Sequence, residues 1–520
     1  MSVAPEIAVE RPVDAVRGTR DWLPAETSRL QNLETLLLDR FARAGYEPLR
    51  TPVLEPTELH ERKSGAGIVS KLFELAGGSG GPSGVCLRPE LTAGIVRAYT
   101  AAKIPPQPPW RVSHVGPVFR YETLKPGKLR EFQQVGVERL GDGGPLADAE
   151  IIWLADWATS EVGITGATVR LGHVGLILEM LRRSGLPAPL GTALIEMLSE
   201  AAADGQGVAT LEQGLEQLSG WLQTNDTPEI PGEVDRADDG GIDRLFRTLV
   251  PVVTGRRSGH EIIHRLRRKW DLGHGLLGAL DRVRTQVHAL ADLKGNPSEV
   301  LARLGKEGES LAPDSVAAIR DLLKALEAFG IESSRVVLDL GFGRGIGFYS
   351  QMVFEIVAET PNGAVELCGG GRYDGLARVL GSDRDDRGVG FAFGLERLAD
   401  VLDAQGRGPS AVAPRGFLVL AEDDAVANHA VMIATRLRVG GARTLLESGI
   451  GLDEAIARAE GAGLPRVLVI RGAATIILHD LISGDEADLS LVDLERLVQA
   501  DLRDRPGMTS RFDQGSSHKV

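Results

Sequence analysis

The chain has 520 residues, and its 72 acidic side chains against 58 basic ones leave a formal charge of −14, with 43% hydrophobic and 25% charged residues. That composition belongs to a folded globular protein, and at roughly 100 to 200 residues per domain the length excludes a single compact domain. The acidic surplus disfavours a protein that coats nucleic acid along its whole surface, although a local basic face is enough to hold a polyanion.

Only Cys86 and Cys368 are present, which excludes a disulfide framework and a four-cysteine zinc site and points to a reducing compartment. No basic segment followed by an apolar run opens the chain, and no stretch approaches the roughly 20 apolar residues of a membrane span. A cytoplasmic protein with no membrane partner is expected.

In chain order, residues 1–16 read as a tail. Leu30, Leu33, Leu36, Leu37 and Phe41 then recur at helical spacing before Gly45, predicting an amphipathic helix stopped by glycine. An extended segment from Glu47 to Leu54 crosses Pro48 and Pro52, which favour an edge strand. Two apolar-rich runs between Val112 and Leu140 flank the polar stretch Glu122 to Arg130, predicting a long hairpin with a basic loop. A helix over Ala149 to Val162 and a strand over Ala167 to Leu171 follow. Residues 191–331 are mostly helical in period and read as an insertion, because strand-like text resumes at Arg335. Strands over Arg335–Leu340, Met352–Ala358 and Ala364–Leu367 then precede a glycine-rich turn and a helix starting near Gly394. Several strands followed by a helix predict an antiparallel sheet of α+β type. Residues 407–414 have linker composition, residues 415–504 alternate strand and helix as a small α/β domain, and residues 505–520 read as a disordered tail.

Three separated stretches place arginine beside aromatic and carboxylate residues. In the first, Phe119-Arg120-Tyr121-Glu122 is followed by Lys128, Arg130, Phe132, Gln134 and Glu138. Strand alternation puts Phe132, Gln134, Gly136 and Glu138 on one face, a poor face for a dry core and a good one for a polar pocket. Arg120 and Arg130 suit a phosphate clamp and Phe132 suits a stacked base, while a solvated hairpin with surface ion pairs is the plainer alternative. The second stretch, Leu87-Arg88-Pro89-Glu90-Leu91-Thr92, offers an anion and a hydroxyl to an ammonium group, or an ordinary helix cap. The third comprises Gly343-Arg344-Gly345 with Phe348 and Tyr349, the run Gly369 to Asp374, and Gly390 to Arg397.

In their joint order these stretches carry a resemblance. GPVFRYE with REFQQVGVE resembles motif 2 of the class II aminoacyl-tRNA synthetases, GVGFAFGLERL resembles motif 3, and the helix running into Pro52 is similar to motif 1. LRPELTAGIVRAY, RGIGFY and CGGGRYDGL resemble the histidyl-tRNA synthetase family in particular. The resemblance implies a class II antiparallel-sheet core, α+β in class, made of residues 17–190 and 332–406, with an anticodon-binding-like domain over 415–504. It also implies a histidine–tRNA ligase that uses ATP with Mg2+, takes histidine and tRNA(His), and forms a homodimer. Position by position it implies that Arg120, Glu122, Phe132 and Arg397 bind ATP, that Glu90, Thr92, Gln134, Glu138 and Tyr349 bind histidine, and that Arg344 is catalytic. No metal ligands of the protein's own are implied.

Where the family usually has Gly-Leu-Asp-Tyr-Tyr after the arginine, this chain has Gly345, Ile346, Gly347, Phe348 and Tyr349. A related protein, the regulatory subunit of ATP phosphoribosyltransferase, shares the fold without the activity and pairs with a catalytic subunit. The stretch Leu171 to Leu176 is more similar to that relative, whereas retention of Arg120, Glu122, Phe132, Arg344 and Arg397 favours the ligase. Residues 415–504 hold 15 acidic residues, 9 arginines and no lysine, a net −6, unlike a surface that grips RNA.

Two further patterns stand apart from these motifs. His260-Glu261-Ile262-Ile263-His264, with His274, fits a zinc-binding helix, but Arg265, Arg267, Arg268 and Lys269 beside it oppose a dication. Those cations, with Arg256 and Arg257, read equally as a solvated face or as a contact for the tRNA acceptor stem. His173 and the two cysteines read as structural.

Overall fold

A computed structural model of the chain describes residues 13–64, 71–75, 84–102, 106–121, 128–183, 275–342, 349–383, 386–407, 416–471, 475–490, 492–494 and 496. The chain divides into two units, residues 1–407 and 408–520.

The strands of the first unit are β1 (Glu47–Leu49), β2 (Leu54–Pro56), β3 (Phe73–Glu74), β4 (Val85–Leu87), β5 (Trp110–Phe119), β6 (Glu131–Leu140), β7 (Thr168–His173), β8 (Lys294–Gly295), β9 (Val336–Asp339), β10 (Met352–Thr360), β11 (Gly363–Arg372) and β12 (Gly388–Gly394). Nine of them form one sheet in the order β1-β5-β6-β12-β11-β10-β7-β9-β8, while β2, β4 and β3 form a small sheet of their own. The large sheet is mixed. Its centre is antiparallel, whereas β1 with β5 and β7 with β9 pair in parallel.

The helices are α1 (Pro24–Arg43), α2 (Thr57–Ser64), α3 (Thr92–Ala101), α4 (Pro145–Glu161), α5 (Val174–Arg183), α6 (Gly275–Ala291), α7 (Pro297–Leu311), α8 (Pro313–Ala328), α9 (Leu376–Val379) and α10 (Leu395–Ala404). Helix α1 buries Leu30, Leu33, Leu37 and Phe41 against the sheet, and Gly45, at φ +86°, supplies the left-handed residue that ends it. On β6 the alternation separates two environments. Val135 and Val137 enter the main core, and Phe132, Gln134 and Glu138 face a cavity on the other side. A second apolar cluster on the cavity side joins Ile95, Val96 and Tyr99 of α3 to Val112, Val118, Leu140 and Tyr373.

Three expectations are corrected. The segment from Glu47 to Leu54 is two strands in two different sheets, because the chain breaks between Leu49 and Leu54 around Pro52, which cannot donate to a ladder. The glycine run Gly369–Gly371 lies inside β11 and is no turn, since partners on both sides supply hydrogen bonds that the missing side chains do not disturb. Within the expected insertion the described helices α6, α7 and α8 are part of the core: Leu280, Val283, Val300, Val316, Ile319 and Leu322 join its main cluster, and β8 adds a strand to the sheet. Helical period alone reads as insertion there because it says nothing about what the apolar face meets. Residues 184–274, with His260, His264, His274 and the basic cluster, lie outside the described residues, as do most of the linker and the C-terminal tail.

In the second unit β13 (Phe417–Ala421) pairs in parallel with β14 (Thr444–Ser448) and β15 (Arg466–Arg471), and β16 (Thr475–Asp480) and β17 (Glu486–Leu489) continue the sheet antiparallel. Helix α11 (Ala427–Val439) contributes Ala430, Ile433 and Leu437 to one apolar cluster of this unit, and α12 (Leu452–Gly461) contributes Ala455 and Ala459 to another. The strands β16 and β17 follow one another with no helix between them, and the sequence reading did not find them.

Candidate active site

Eight side chains singled out in the sequence, Glu90, Thr92, Arg120, Phe132, Gln134, Glu138, Tyr349 and Arg397, line one cavity. Its empty space is about 1140 Å³ with its open mouth included. Glu122 and Arg344 lie outside the described residues. Arg130 does not line the cavity: its guanidinium lies 4.1 Å from the Tyr121 ring and donates to the Arg17 carbonyl at 3.2 Å. The expected pairing of Arg120 with Arg130 as a clamp is thereby corrected.

The cavity is long because a strand runs through it. Phe132 and Glu138 are six residues apart on β6, roughly 20 Å at 3.3–3.4 Å per residue. At the hairpin end Arg120 donates through Nε to the Pro89 carbonyl at 2.8 Å and lies 5.4 Å from the Phe132 ring. Lys128 lines this region too. Gly394 is in register with Gln134, so the start of α10 carries Arg397 to the same stretch, where its Nη1 is 3.6 Å from Glu366 Oε2.

The inner end is acidic and buried. Glu138 and Glu90 are both buried. The Thr92 hydroxyl donates to Glu138 Oε1 at 2.5 Å, and the Tyr373 phenol donates to Oε2. Burial, and then Glu138 beside it, push the Tyr373 phenol well above its ordinary range, so it stays protonated and donating. Glu90 Oε1 accepts the Ala93 N–H at 3.0 Å, which anchors it at the start of α3. His114 Nε2 lies 3.9 Å from Glu138 Oε1.

Glycines make this packing possible. Gly390 stands opposite Glu138 in the β12–β6 register, and a Cβ there would overlap Glu138 Oε2. At Gly388 a Cβ would overlap the Tyr373 ring. In both cases the missing side chain leaves room for a neighbouring side chain.

Beneath the cavity Arg372 is fully buried and binds Asp148 through Nε at 2.7 Å and Asp374 through Nη1 at 3.0 Å. Glu396, also buried, accepts the Gln133 N–H on Oε1 at 2.8 Å, and its Oε2 has no hydrogen-bond partner among the described residues. Burial raises the Glu396 carboxyl above the usual carboxylate range, and the backbone N–H of Gln133 only partly offsets this.

Sequence reasoning did not give a site role to Tyr373, Glu366, Glu396 or Lys128. Tyr373 and Glu396 lay inside quoted motifs, where a phenol just past a strand end and a carboxylate in a first helical turn were available as signals.

The sequence profile described as histidyl-tRNA synthetase matches residues 18–230 and 241–398. The chain belongs to the histidyl-tRNA synthetase family. Among its relatives, a histidine–tRNA ligase of Prochlorococcus marinus is 30% identical over 95% of this chain and 94% of its own length. One of Pyrococcus furiosus is 26% identical over 94% of this chain and all of its own. In structure the chain resembles apo histidyl-tRNA synthetase of S. aureus, with a TM-score of 0.62, 21% identity and 94% of this chain covered against 100% of that one. It equally resembles a Bacillus halodurans protein described as an ATP phosphoribosyltransferase regulatory subunit/histidyl-tRNA synthetase, with a TM-score of 0.63, 22% identity and coverage of 89% and 100%. These two likenesses establish the class II α+β fold.

Proposed function

We propose that this member of the histidyl-tRNA synthetase family is a histidine–tRNA ligase, joining histidine to ATP as histidyl-adenylate and passing it to tRNA(His). One observation carries the reading: a single cavity holds an aromatic ring and two guanidinium groups near the hairpin and paired buried carboxylates some distance inward. A nucleotide and an amino acid laid end to end need that polarity.

At the inner end Glu90 and the Thr92 hydroxyl receive the ammonium group of histidine. Thr92 has a lone pair to spare while it donates to Glu138. Gln134, Glu138 and Tyr349 border the imidazole, with Tyr373 holding Glu138 in place. Phe132 stacks the adenine, Glu122 completes its recognition, and Arg120 and Arg397 neutralise phosphate oxygens. An oxygen of the histidine carboxylate attacks the α-phosphorus, the bond to the bridging oxygen breaks, and pyrophosphate leaves with the electron pair. The cavity acts by alignment and by cationic stabilisation of the equatorial oxygens, with Arg344 beside the α-phosphate as the catalytic group.

Mg2+ would arrive with the nucleotide. No cluster of three metal-binding side chains exists among the described residues, but Glu366 and the unpartnered Oε2 of Glu396 fit an ion held largely by phosphates. The ion supplies charge neutralisation on the phosphates when bound.

The order of elements in residues 416–496 supports an anticodon-binding role for the second unit, and the family supports a cytoplasmic homodimer. No helix among the described residues is long and apolar enough to cross a membrane. Histidine-dependent exchange of pyrophosphate into ATP tests the reading. Folded protein that binds histidine without exchange would instead support the non-catalytic regulatory role, with an ATP phosphoribosyltransferase catalytic subunit as partner.

A further inference from the structure

His114 has no place in the reading above, yet its surroundings single it out. It lies on β5 opposite Gly136 of β6, and the strand alternation puts it on the same face as Glu138. The imidazole is 2% exposed, and neither ring nitrogen has a hydrogen-bond partner among the described residues. A buried polar group left in that state is costly, and most are paired. Its Nε2 is 3.9 Å from Glu138 Oε1, too far for a hydrogen bond but within a shift of about 1 Å of one. Burial pulls the imidazole down to about 4, against the raising effect of Glu90 and with Arg88 lowering it further. The ring is therefore neutral at physiological pH and able to donate from one nitrogen.

We propose that His114 is a positioning residue for the amino-acid end of the cavity: when the ligand draws Glu138 into its bound pose, Nε2–H of His114 closes on Oε1 and locks the carboxylate there. In this structure the carboxylate is held by Thr92 and Tyr373, and neither nitrogen of His114 has a partner among the described residues. Ligand binding then gains the hydrogen bond from His114 to Glu138. The inference rests on reading the inner end as a histidine site.

The test uses the full chain, with histidine affinity measured by calorimetry without ATP and KM values taken from pyrophosphate exchange. His114→Leu should weaken histidine binding at least tenfold while KM for ATP stays within twofold. The H114Q variant carries its amide near the Nε2 position and should restore most of the loss, whereas H114N, whose amide falls nearer Nδ1, should not. Wild-type histidine affinity in folded H114L overturns the proposal, and so does an equal loss for histidine and ATP, which marks a purely structural role. If H114L does not fold, the comparison decides: H114N binding as well as H114Q overturns it. A wild-type chain that binds histidine without exchanging pyrophosphate removes the ligase function and leaves His114 to be judged on binding, while one that binds no histidine takes both readings down.

Discussion

Glu396 Oε1 accepts the backbone N–H of Gln133 at 2.8 Å, tying the first turn of α10 to β6 across 263 residues of sequence. The same carboxylate is buried and carries a raised pKa, so ionising it works against folding. A group whose folded pKa lies above its unfolded value gives stability below the unfolded value that is lost as pH rises through the folded one. Glu396→Gln keeps a carbonyl for the Gln133 N–H and cannot ionise. It should melt higher than wild type at pH 7.5, with the gap shrinking toward pH 4.5, while pyrophosphate exchange falls. Equal melting curves at both pH values would contradict this.

Thr92→Val removes the hydroxyl between Glu138 and the incoming ammonium while keeping the side-chain shape. A lost hydrogen bond to a charged group costs about 1.5–3 kcal/mol, so KM for histidine in the exchange assay should rise on the order of 10- to 150-fold. KM for ATP should stay close to that of wild type, because Phe132, Arg120 and Arg397 are untouched.

Gly390→Ala places a methyl group on Glu138 Oε2. Overpacking of this kind costs roughly 1–3 kcal/mol, and here it also dislodges the carboxylate from Tyr373. Calorimetry should show histidine binding abolished in a protein whose denaturation midpoint falls only moderately.

Arg372 and Asp148 are a buried pair in which burial raises the Asp148 carboxyl, against the lowering effect of Arg372. Asp148→Ala leaves the guanidinium with Asp374 and the Asp142 carbonyl. Removing one partner of a buried pair costs about 3–5 kcal/mol, and urea denaturation should show a loss of that size. A change under about 1 kcal/mol, the net worth of an ordinary hydrogen bond, would mean that Asp374 and the Asp142 carbonyl suffice.

His173 Nδ1 accepts the Leu176 N–H at 2.9 Å at the start of α5, and burial pulls its pKa down to about 4, with Glu179 opposing. Because the folded value lies below the usual 6.5, protonation favours the unfolded chain, and stability is lost as pH falls from about 6.5 toward 4. A fall from 6.5 to about 4 corresponds to an effect on the order of 3 kcal/mol. His173→Asn retains a cap acceptor without the titration, so its stability should decline less than that of wild type between pH 7 and pH 5.

Periodicity and residue chemistry alone located α1, the β5–β6 hairpin and the face of β6 that carries Phe132, Gln134 and Glu138, because each depends on neighbours two to four positions away in the chain. The eight cavity residues were legible for a different reason: arginine, carboxylate and aromatic groups on strands have few comfortable alternatives to a polar pocket, and their order matched a known family. Other features are set by contacts between distant segments. Whether helical text at residues 275–331 is insertion or core depends on what its apolar face meets, and Leu280 and Val316 find the main core cluster. Arg130 and Arg120 look interchangeable on paper, yet packing gives Arg120 to the cavity and Arg130 to Tyr121 and Arg17. Gly390 and Glu138 need each other only because β12 lies beside β6, a pairing made from residues some 250 positions apart that no local pattern encodes.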